Sequence, residues 1–318
     1  MKTVLVLLPV REEHKQILER AGEGCRFVYE RFQTVTEEQV QQAQIIIGCA
    51  DPKQIHGSEK LEWLQLHSVG ADPYLVPGVL GPKTVLTNST GAYGKAVSEQ
   101  ALALTLMMQK KLYLYRDNQR KNSWHDEGRV SSPSSSTVLV MGLGDIGLSY
   151  ARKMKALGAT VIGVKRRPAA CPEGVDELVT TEQLDEVLPR ADVVASFLPG
   201  NGQTRHIFNA ERFGRMKPGA VFVNCGRGGA VDSEALLKAL QEGPLASAAV
   251  DVTEIEPLPA DSPLWQQENL MITPHVAGWL HLPEILDRVV EISAANLRAY
   301  LQGGDLRNVV DFATGYRK

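Results

Sequence analysis

Residues 138–147 read VLVMGLGDIG: four apolar residues, Val138, Leu139, Val140 and Met141, run straight into Gly142-x-Gly144-x-x-Gly147. An apolar run ending in this glycine spacing predicts a strand that turns directly into a helix over the pyrophosphate of a dinucleotide. Each glycine has its own reason. Gly142 permits the tight turn, Gly144 removes a side chain where backbone must approach phosphate, and Gly147 lets the helix pack closely on the strand. Asp145 and Ile146 lie inside the turn, at a helix start whose unpaired N–H groups and positive dipole end attract an anion. The flanks agree. Ile146, Tyr150, Met154 and Leu157 recur at helical spacing, Gly158 suits the helix end, and 160–164 is a β-run.

In a site for NAD, an Asp or Glu about 20 residues past the glycines accepts hydrogen bonds from the ribose hydroxyls. That place holds Lys165, Arg166 and Arg167. Here a carboxylate would repel a 2′-phosphate, whereas Arg clamps phosphate with paired N–H donors, so three cations predict NADP(H) as the preferred cofactor. NAD(H) stays open, and the competing reading of the triplet is a solvated basic turn before Pro168.

The chain has 318 residues, 43% of them hydrophobic and 22% charged, enough for two domains with separate cores. A net charge of -3, with no basic tail or long charge run, argues against nucleic acid as a partner and confines any phosphate binding to a local cluster. The opening MKTVLVLLPVREE has a short apolar run cut by Arg11, Glu12 and Glu13, and reads as a first strand rather than a leader. No apolar run reaches the roughly 18 residues of a membrane span. Cys25, Cys49, Cys171 and Cys225 are scattered, without C-x-x-C spacing or a histidine pair, so reduced thiols in a cytoplasmic protein without a metal centre are expected.

Strand-like runs at 3–8, 26–29, 45–48, 64–67 and 84–87 alternate with helical patterns at 12–21 and 37–43. That alternation predicts a parallel sheet flanked by helices, of flavodoxin-like size. The glycine turn opens a second doubly wound sheet, Rossmann-like, with further strands at 193–197, 220–224, 246–250 and 270–273 and a helix at 233–241. A helical segment from Gly94 to about Arg120, apolar enough for burial along much of its length, joins the two, and Pro133 among serines makes a connector before the nucleotide strand. The helical pattern at 286–301 is expected to return to the first sheet. The fold class expected is therefore α/β with two doubly wound parallel-sheet domains, residues 1–98 plus 285–318 and residues 99–284.

Chemistry-bearing residues gather just past the ends of the later strands: Cys225, Gly226 and Arg227, then Asp251, then Glu256-Pro257, then Pro274-His275. Doubly wound folds bind ligands beyond the carboxyl ends of their strands, which is where these residues fall. Taken together, GLGDIG, Leu198-Pro199, MKPGAVFVNCGRGGAVD, DVTEIEP and ITPHVAG resemble the D-isomer-specific 2-hydroxyacid dehydrogenase family, which includes glyoxylate and hydroxypyruvate reductases. The resemblance runs in order from about residue 65 to about residue 285. It implies a discontinuous flavodoxin-like substrate domain, a Rossmann-like cofactor domain and a homodimer.

The resemblance also implies roles. Arg227 grips the carboxylate of a small 2-oxo acid and polarises its carbonyl, Glu256 partners the histidine, and His275 is the acid and base. A proton donor beside the oxygen that gains negative charge during hydride transfer lowers the barrier, and a carboxylate neighbour favours a charged imidazole. HSVGAD at 67–72 resembles the family's first-domain loop, where backbone N–H groups of Val69 and Gly70 bind the substrate carboxylate. Asp251 is implied to bond the nicotinamide carboxamide, and Thr204 to lie near the cofactor phosphates or ribose. Leu198, Pro199, Cys225, Gly226, Arg227, His275 and Gly278 are implied to lie along the cofactor; for Cys225 the residue-level reading is packing rather than nucleophilic attack. Trp279 either lines the substrate pocket or packs. His14, His56, His67, His125, His206 and His281 read as ordinary core or loop histidines.

The expected activity is reduction of glyoxylate or hydroxypyruvate to the D-2-hydroxy acid. One alternative is a phosphoglycerate dehydrogenase, disfavoured because no regulatory domain follows the last helix; another is a dinucleotide-sensing scaffold with little turnover. The serines before residue 137 depart from the family's usual lead-in, which touches loop packing rather than chemistry.

Overall fold

The computed structural model describes residues 1–312 and shows an α/β chain in two compact units: Met1–Tyr93 with the chain from Leu280 onward, and Gly94–Trp279. The divisions fall at 93/94 and 279/280, because the helix that opens at Gly94 belongs whole to the second unit. Residues 313–318 of the expected first domain lie outside the described residues.

In the first unit β1 (Thr3–Val6), β2 (Arg26–Tyr29), β3 (Ile45–Ile47), β4 (Trp63–Gln65) and β5 (Val85–Thr87) form a parallel sheet in the order β2-β1-β3-β4-β5. That is the flavodoxin-like order. The three isoleucines of β3 are all buried, as expected for a parallel strand covered on both faces. Helices α1 (Glu12–Ala21), α2 (Glu37–Gln42) and α3 (Pro52–Ile55) connect the strands. Thr36 shows how sequence sets a helix start: its hydroxyl accepts from Gln39 N–H while the Gln39 side chain accepts from Thr36 N–H, a reciprocal cap.

The second unit opens with α4 (Gly94–Gln109) and α5 (Leu112–Arg120). The helical segment expected from Gly94 to about Arg120 is two helices, and the burial expected along much of its length falls in α4. The chain breaks at Lys111, which has a left-handed backbone (φ 54), and no residue of α5 is buried. The buried positions of α4 run on to Met108 and Gln109, whereas in α5 Tyr113, Leu114 and Tyr115 are half-buried and Leu112 is exposed.

The sheet that follows comprises β6 (Thr137–Met141), β7 (Thr160–Lys165), β8 (Glu177–Thr180), β9 (Val193–Ser196), β10 (Ala220–Asn224), β11 (Leu245–Val250) and β12 (Leu270–Ile272). All its pairings are parallel, in the order β12-β11-β10-β9-β6-β7-β8. Helices α6 (Asp145–Ala156), α7 (Leu184–Val187), α8 (Ala210–Gly214) and α9 (Ser233–Gln241) cover it. Strand β8 had no clear sequence signal, since a four-residue edge strand needs only one good face. Behind β10, Phe222 meets Phe208 and Phe213 edge-on, with ring centroids 4.9 and 5.3 Å apart. Such pairs add about 0.5–1.5 kcal/mol each beyond burial. They pin the strand that leads into Arg227.

The last helix, α10 (Pro283–Leu301), returns to the first unit and packs on α1. Its Asp287 accepts from Arg11 at 2.8 Å and pairs with His14 at 2.9 Å, while Asn296 Nδ2 donates to Gln65 Oε1 at 2.8 Å. Among the described residues no helix is long and apolar enough to cross a membrane.

Candidate functional site

One row of paired residues closes the second sheet. Val164 pairs with Met141, Met141 with Ser196, Ser196 with Asn224, Asn224 with Val250, and Val250 with Ile272. Six parallel strands thus end at one level, and the loops beyond them carry the glycine turn, the basic triplet and the charged residues singled out above. Strand β6 lies between β9 and β7, the point where strand order reverses and where such sheets hold ligands.

The glycine turn has a steric explanation at each position. Gly142 is left-handed at φ +87, and a Cβ on Gly147 would lie 2.1 Å from Gly142 O, so the α6 start can sit this close to the turn only without a side chain. A Cβ on Gly144 would meet no protein atom within 4 Å, so the turn presents an open face at the N-terminus of α6. At its far end α6 stops in the predicted way: Gly158 is left-handed at φ +87, with Gly158 N–H bonded to Lys155 O and Ala159 N–H to Met154 O.

Lys165 ends β7, and Arg166 and Arg167 follow it exposed. Arg166 Nη1 reaches Gln203 Oε1 at 3.5 Å, which brings a residue of the β9 loop beside the triplet. Nothing in the spacing of the sequence pointed to Gln203. Within that loop Thr204 is buried, and its hydroxyl donates to Pro199 O at 2.7 Å. The structure therefore gives Thr204 a loop-holding role. Gly226 also has a packing reason, because a Cβ there would lie 2.5 Å from Leu198 O and 2.6 Å from Leu198 N. Cys225 is buried; burial first, and then the charge of Asp251, pushes its thiol well up, so it stays protonated as a packing residue should. Gly278 lies in the turn after Ala277, and Trp279 beyond it is exposed.

Three loops carry the charged groups. Arg227 follows β10, half-buried; its Nη1 donates to Gly226 O at 3.0 Å and its carbonyl accepts from Asn224 Nδ2 at 3.1 Å. After β11, Asp251 is almost wholly buried, and its carboxylate holds the loop that carries His275. Oδ1 accepts from Thr273 Oγ1 at 2.6 Å and Val276 N–H at 3.0 Å, and Oδ2 accepts from Ala277 N–H at 3.1 Å. The Asp251 carbonyl also accepts from His275 N–H at 2.7 Å. His275 itself has a left-handed backbone (φ 53), a costly conformation that persists where the surroundings over-determine it. Asp251 is what over-determines it.

The side chains of Glu256 and His275 then meet, although 19 residues separate them: His275 Nδ1 lies 2.8 Å from Glu256 Oε2. Glu256 is aimed in turn, since its Oε1 accepts from Thr253 N–H at 3.0 Å. A carboxylate on Nδ1 fixes the ring's orientation and leaves Nε2 as the nitrogen able to trade a proton. In the first unit, Val69 and Gly70 lie in the loop after β4; Asn88 Nδ2 donates to Val69 O at 2.8 Å and Ser68 Oγ to Gly70 O at 2.7 Å.

Residues 102–277 match the model of the D-isomer specific 2-hydroxyacid dehydrogenase NAD binding domain. The glyoxylate reductase of Thermofilum pendens is 31% identical over 261 residues, 80% of this chain and 76% of that protein. Among solved structures, a D-isomer specific 2-hydroxyacid dehydrogenase family protein from Aeromonas salmonicida superposes with a TM-score of 0.85 at 34% identity, over 98% of this chain and 99% of that one. An NADPH-dependent glyoxylate/hydroxypyruvate reductase from Sinorhizobium meliloti, in complex with NADP and sulfate, superposes with a TM-score of 0.84 at 27% identity, over 99% and 100%.

Proposed function

This chain belongs to the D-isomer-specific 2-hydroxyacid dehydrogenase family, and from that premise we propose that it reduces a small 2-oxo acid, glyoxylate or hydroxypyruvate, with NADPH as preferred cofactor. Membership makes it an NAD(P)-dependent oxidoreductase of 2-hydroxy and 2-oxo acids. The finer reading rests on one observation above all, the 2.8 Å contact between His275 Nδ1 and Glu256 Oε2 at the ligand-binding edge of the cofactor sheet.

The residues present fit a phosphorylated dinucleotide. Gly144 leaves an open face at the start of a 12-residue helix, where N–H groups and the helix dipole favour a pyrophosphate. Lys165, Arg166 and Arg167 at the end of β7 suit a 2′-phosphate, and the same position in an NAD site carries an acid. NADPH, when bound, supplies the hydride.

The chain's own groups do the rest. Arg227 takes the substrate carboxylate with its guanidinium. Reduction of the carbonyl places negative charge on oxygen, and His275 Nε2 gives that oxygen a proton, the D-2-hydroxy acid being the product. Glu256 holds Nδ1 and stabilises the ring while it carries the extra proton. Trp279, exposed beside this loop, is proposed to contact the substrate. The cytoplasm is the proposed location, supported by four unbridged cysteines; a homodimer is proposed on family resemblance alone.

The test is steady-state reduction of a panel of 2-oxo acids with NADPH and with NADH. Glyoxylate or hydroxypyruvate turned over with kcat/KM at least tenfold higher for NADPH supports the reading. Equal or better use of NADH defeats the cofactor assignment, and cofactor binding without turnover on any acid defeats the enzymatic one.

A further inference from the structure

Strands β3 and β4 pair in parallel with Ile47 opposite Gln65, and two residues past that pair the adjacent strand ends carry Cys49 and His67. Two residues that read separately as a scattered thiol and a loop histidine are thus neighbours at the carboxyl edge of the first sheet. Cys49 is half-buried, and its sulphur lies 3.7 Å from Ser68 Oγ. His67 Nδ1 is buried and makes no hydrogen bond of ordinary geometry among the described residues. A buried ring nitrogen in that state is costly and rare in folded proteins, and a charged neighbour is one physical reason to keep it.

The groups around the pair do not compete for this role. Tyr74 OH donates to Ala50 O at 2.7 Å, and Tyr93 OH to His67 O at 2.6 Å. Burial, and then the charge on Cys49, pushes both phenols up, so they remain neutral donors. Asp51, the nearby acid, is occupied in capping α3, accepting from Lys53 N–H at 2.8 Å. Burial by itself raises the Cys49 thiol, but hydrogen bonding and charge from His67, together with the adjacent polar groups of Ser68, outweigh it and bring the thiol down to about 7. His67 moves the opposite way: burial lowers it, and its coupling to the sulphur raises it further.

We propose that Cys49 and His67 form a thiolate–imidazolium pair and that Cys49 is a modification site, oxidised by hydroperoxides to the sulfenic acid. The thiolate sulphur attacks the terminal peroxide oxygen, an S–O bond forms, and the O–O bond breaks. The leaving alkoxide or hydroxide takes the His67 proton and departs as alcohol or water, while the sulphur is oxidised and the peroxide reduced. The other three cysteines lack this arrangement: Cys225 and Cys25 are pushed up by burial, and Cys171 donates to Val175 O on an exposed turn.

The experiment uses the full chain in two measurements. The rate of iodoacetamide alkylation of each cysteine is followed against pH by peptide mass spectrometry, and sulfenic acid formed by hydrogen peroxide at pH 7 is trapped with dimedone. A thiol titrating at about 7 is half ionised at pH 7, roughly fiftyfold more than one at 9.0; lower nucleophilicity of the more acidic thiolate returns roughly eightfold of this. Cys49 is therefore expected to alkylate about sixfold faster at pH 7 than an ordinary thiol, with a rate midpoint near 7, and to carry most of the dimedone. His67→Asn is expected to raise that midpoint and cut the rate at pH 7 at least tenfold. Cys49 labelling no faster than Cys171, or a wild-type midpoint at or above 9, overturns the proposal. So does a folded His67→Asn protein with an unchanged profile; if that variant does not fold, the wild-type midpoint decides.

Discussion

Replacing Asp251 by Asn tests whether this buried carboxylate organises the catalytic loop or serves the cofactor. The change keeps the side-chain volume and removes one acceptor. With the amide oxygen in the Oδ1 position, the bonds from Thr273 Oγ1 and Val276 N–H survive as neutral ones, and the new NH2 group faces Ala277 N–H, donor against donor. One lost charge-assisted bond at a buried N–H costs about 1.5–3 kcal/mol, and the two weakened bonds lose roughly 0.5–1 kcal/mol each. A neutral amide is cheaper to bury than a carboxylate, which offsets part of the loss and leaves a net of about 2–4 kcal/mol. For a unit of this size each kcal/mol moves the melting temperature by about 2–4 °C, so a drop of about 5–15 °C is expected by scanning fluorimetry. The His275 backbone then loses what holds it left-handed, and a displacement of about 1 Å at a catalytic group costs on the order of a hundredfold in rate. Glyoxylate turnover should fall by one to two powers of ten while the Kd for NADPH stays within about threefold. A melting temperature unchanged within about 1 °C together with a large rise in Kd would refute this reasoning and return Asp251 to the nicotinamide.

His275→Gln removes the proposed proton donor but keeps a side chain of similar reach; kcat should fall by about 10²–10⁴-fold with NADPH binding, followed by fluorescence, unaltered. The glycine turn separates two effects. Gly147→Ala puts a methyl 2.1 Å from a carbonyl oxygen, so melting falls sharply, whereas Gly144→Ala meets no protein atom within 4 Å, so melting holds and NADPH affinity drops at least tenfold. At Glu254, burial raises the carboxyl, but hydrogen bonding to His206 at 2.5 Å and to Ser233 outweighs it and holds the group below its ordinary 4.5. A depressed carboxylate contributes stability that is complete above the unfolded value and disappears as pH falls through the folded one. Acid melts should therefore show wild type losing more stability than Glu254→Gln below pH 4.5, and parallel curves there would exclude the contribution.

The linear chain by itself determined the alternation of strands and helices, the glycine turn with its capped helix, and the cations that close β7. These are local matters: left-handed backbone, close approach and periodic burial restrict residue types within a few positions, so Gly142, Gly158 and the run of β3 could be read directly. Residue types alone could also assemble the charged segments in family order, and so place Arg227, Glu256 and His275 near one another in principle. Only the tertiary structure decided which side chains meet. Strand order and register join positions far apart in sequence, and no local pattern encodes them: Glu256 reaches His275 across two adjacent strand ends, and Cys49 reaches His67 because β3 lies beside β4. The same holds for Asp251 and Thr204, whose polar types suited a ligand equally well; burial left Thr204 bonded within its own loop and Asp251 to the loop that carries His275, because a buried polar group must be satisfied by whatever the fold brings to it.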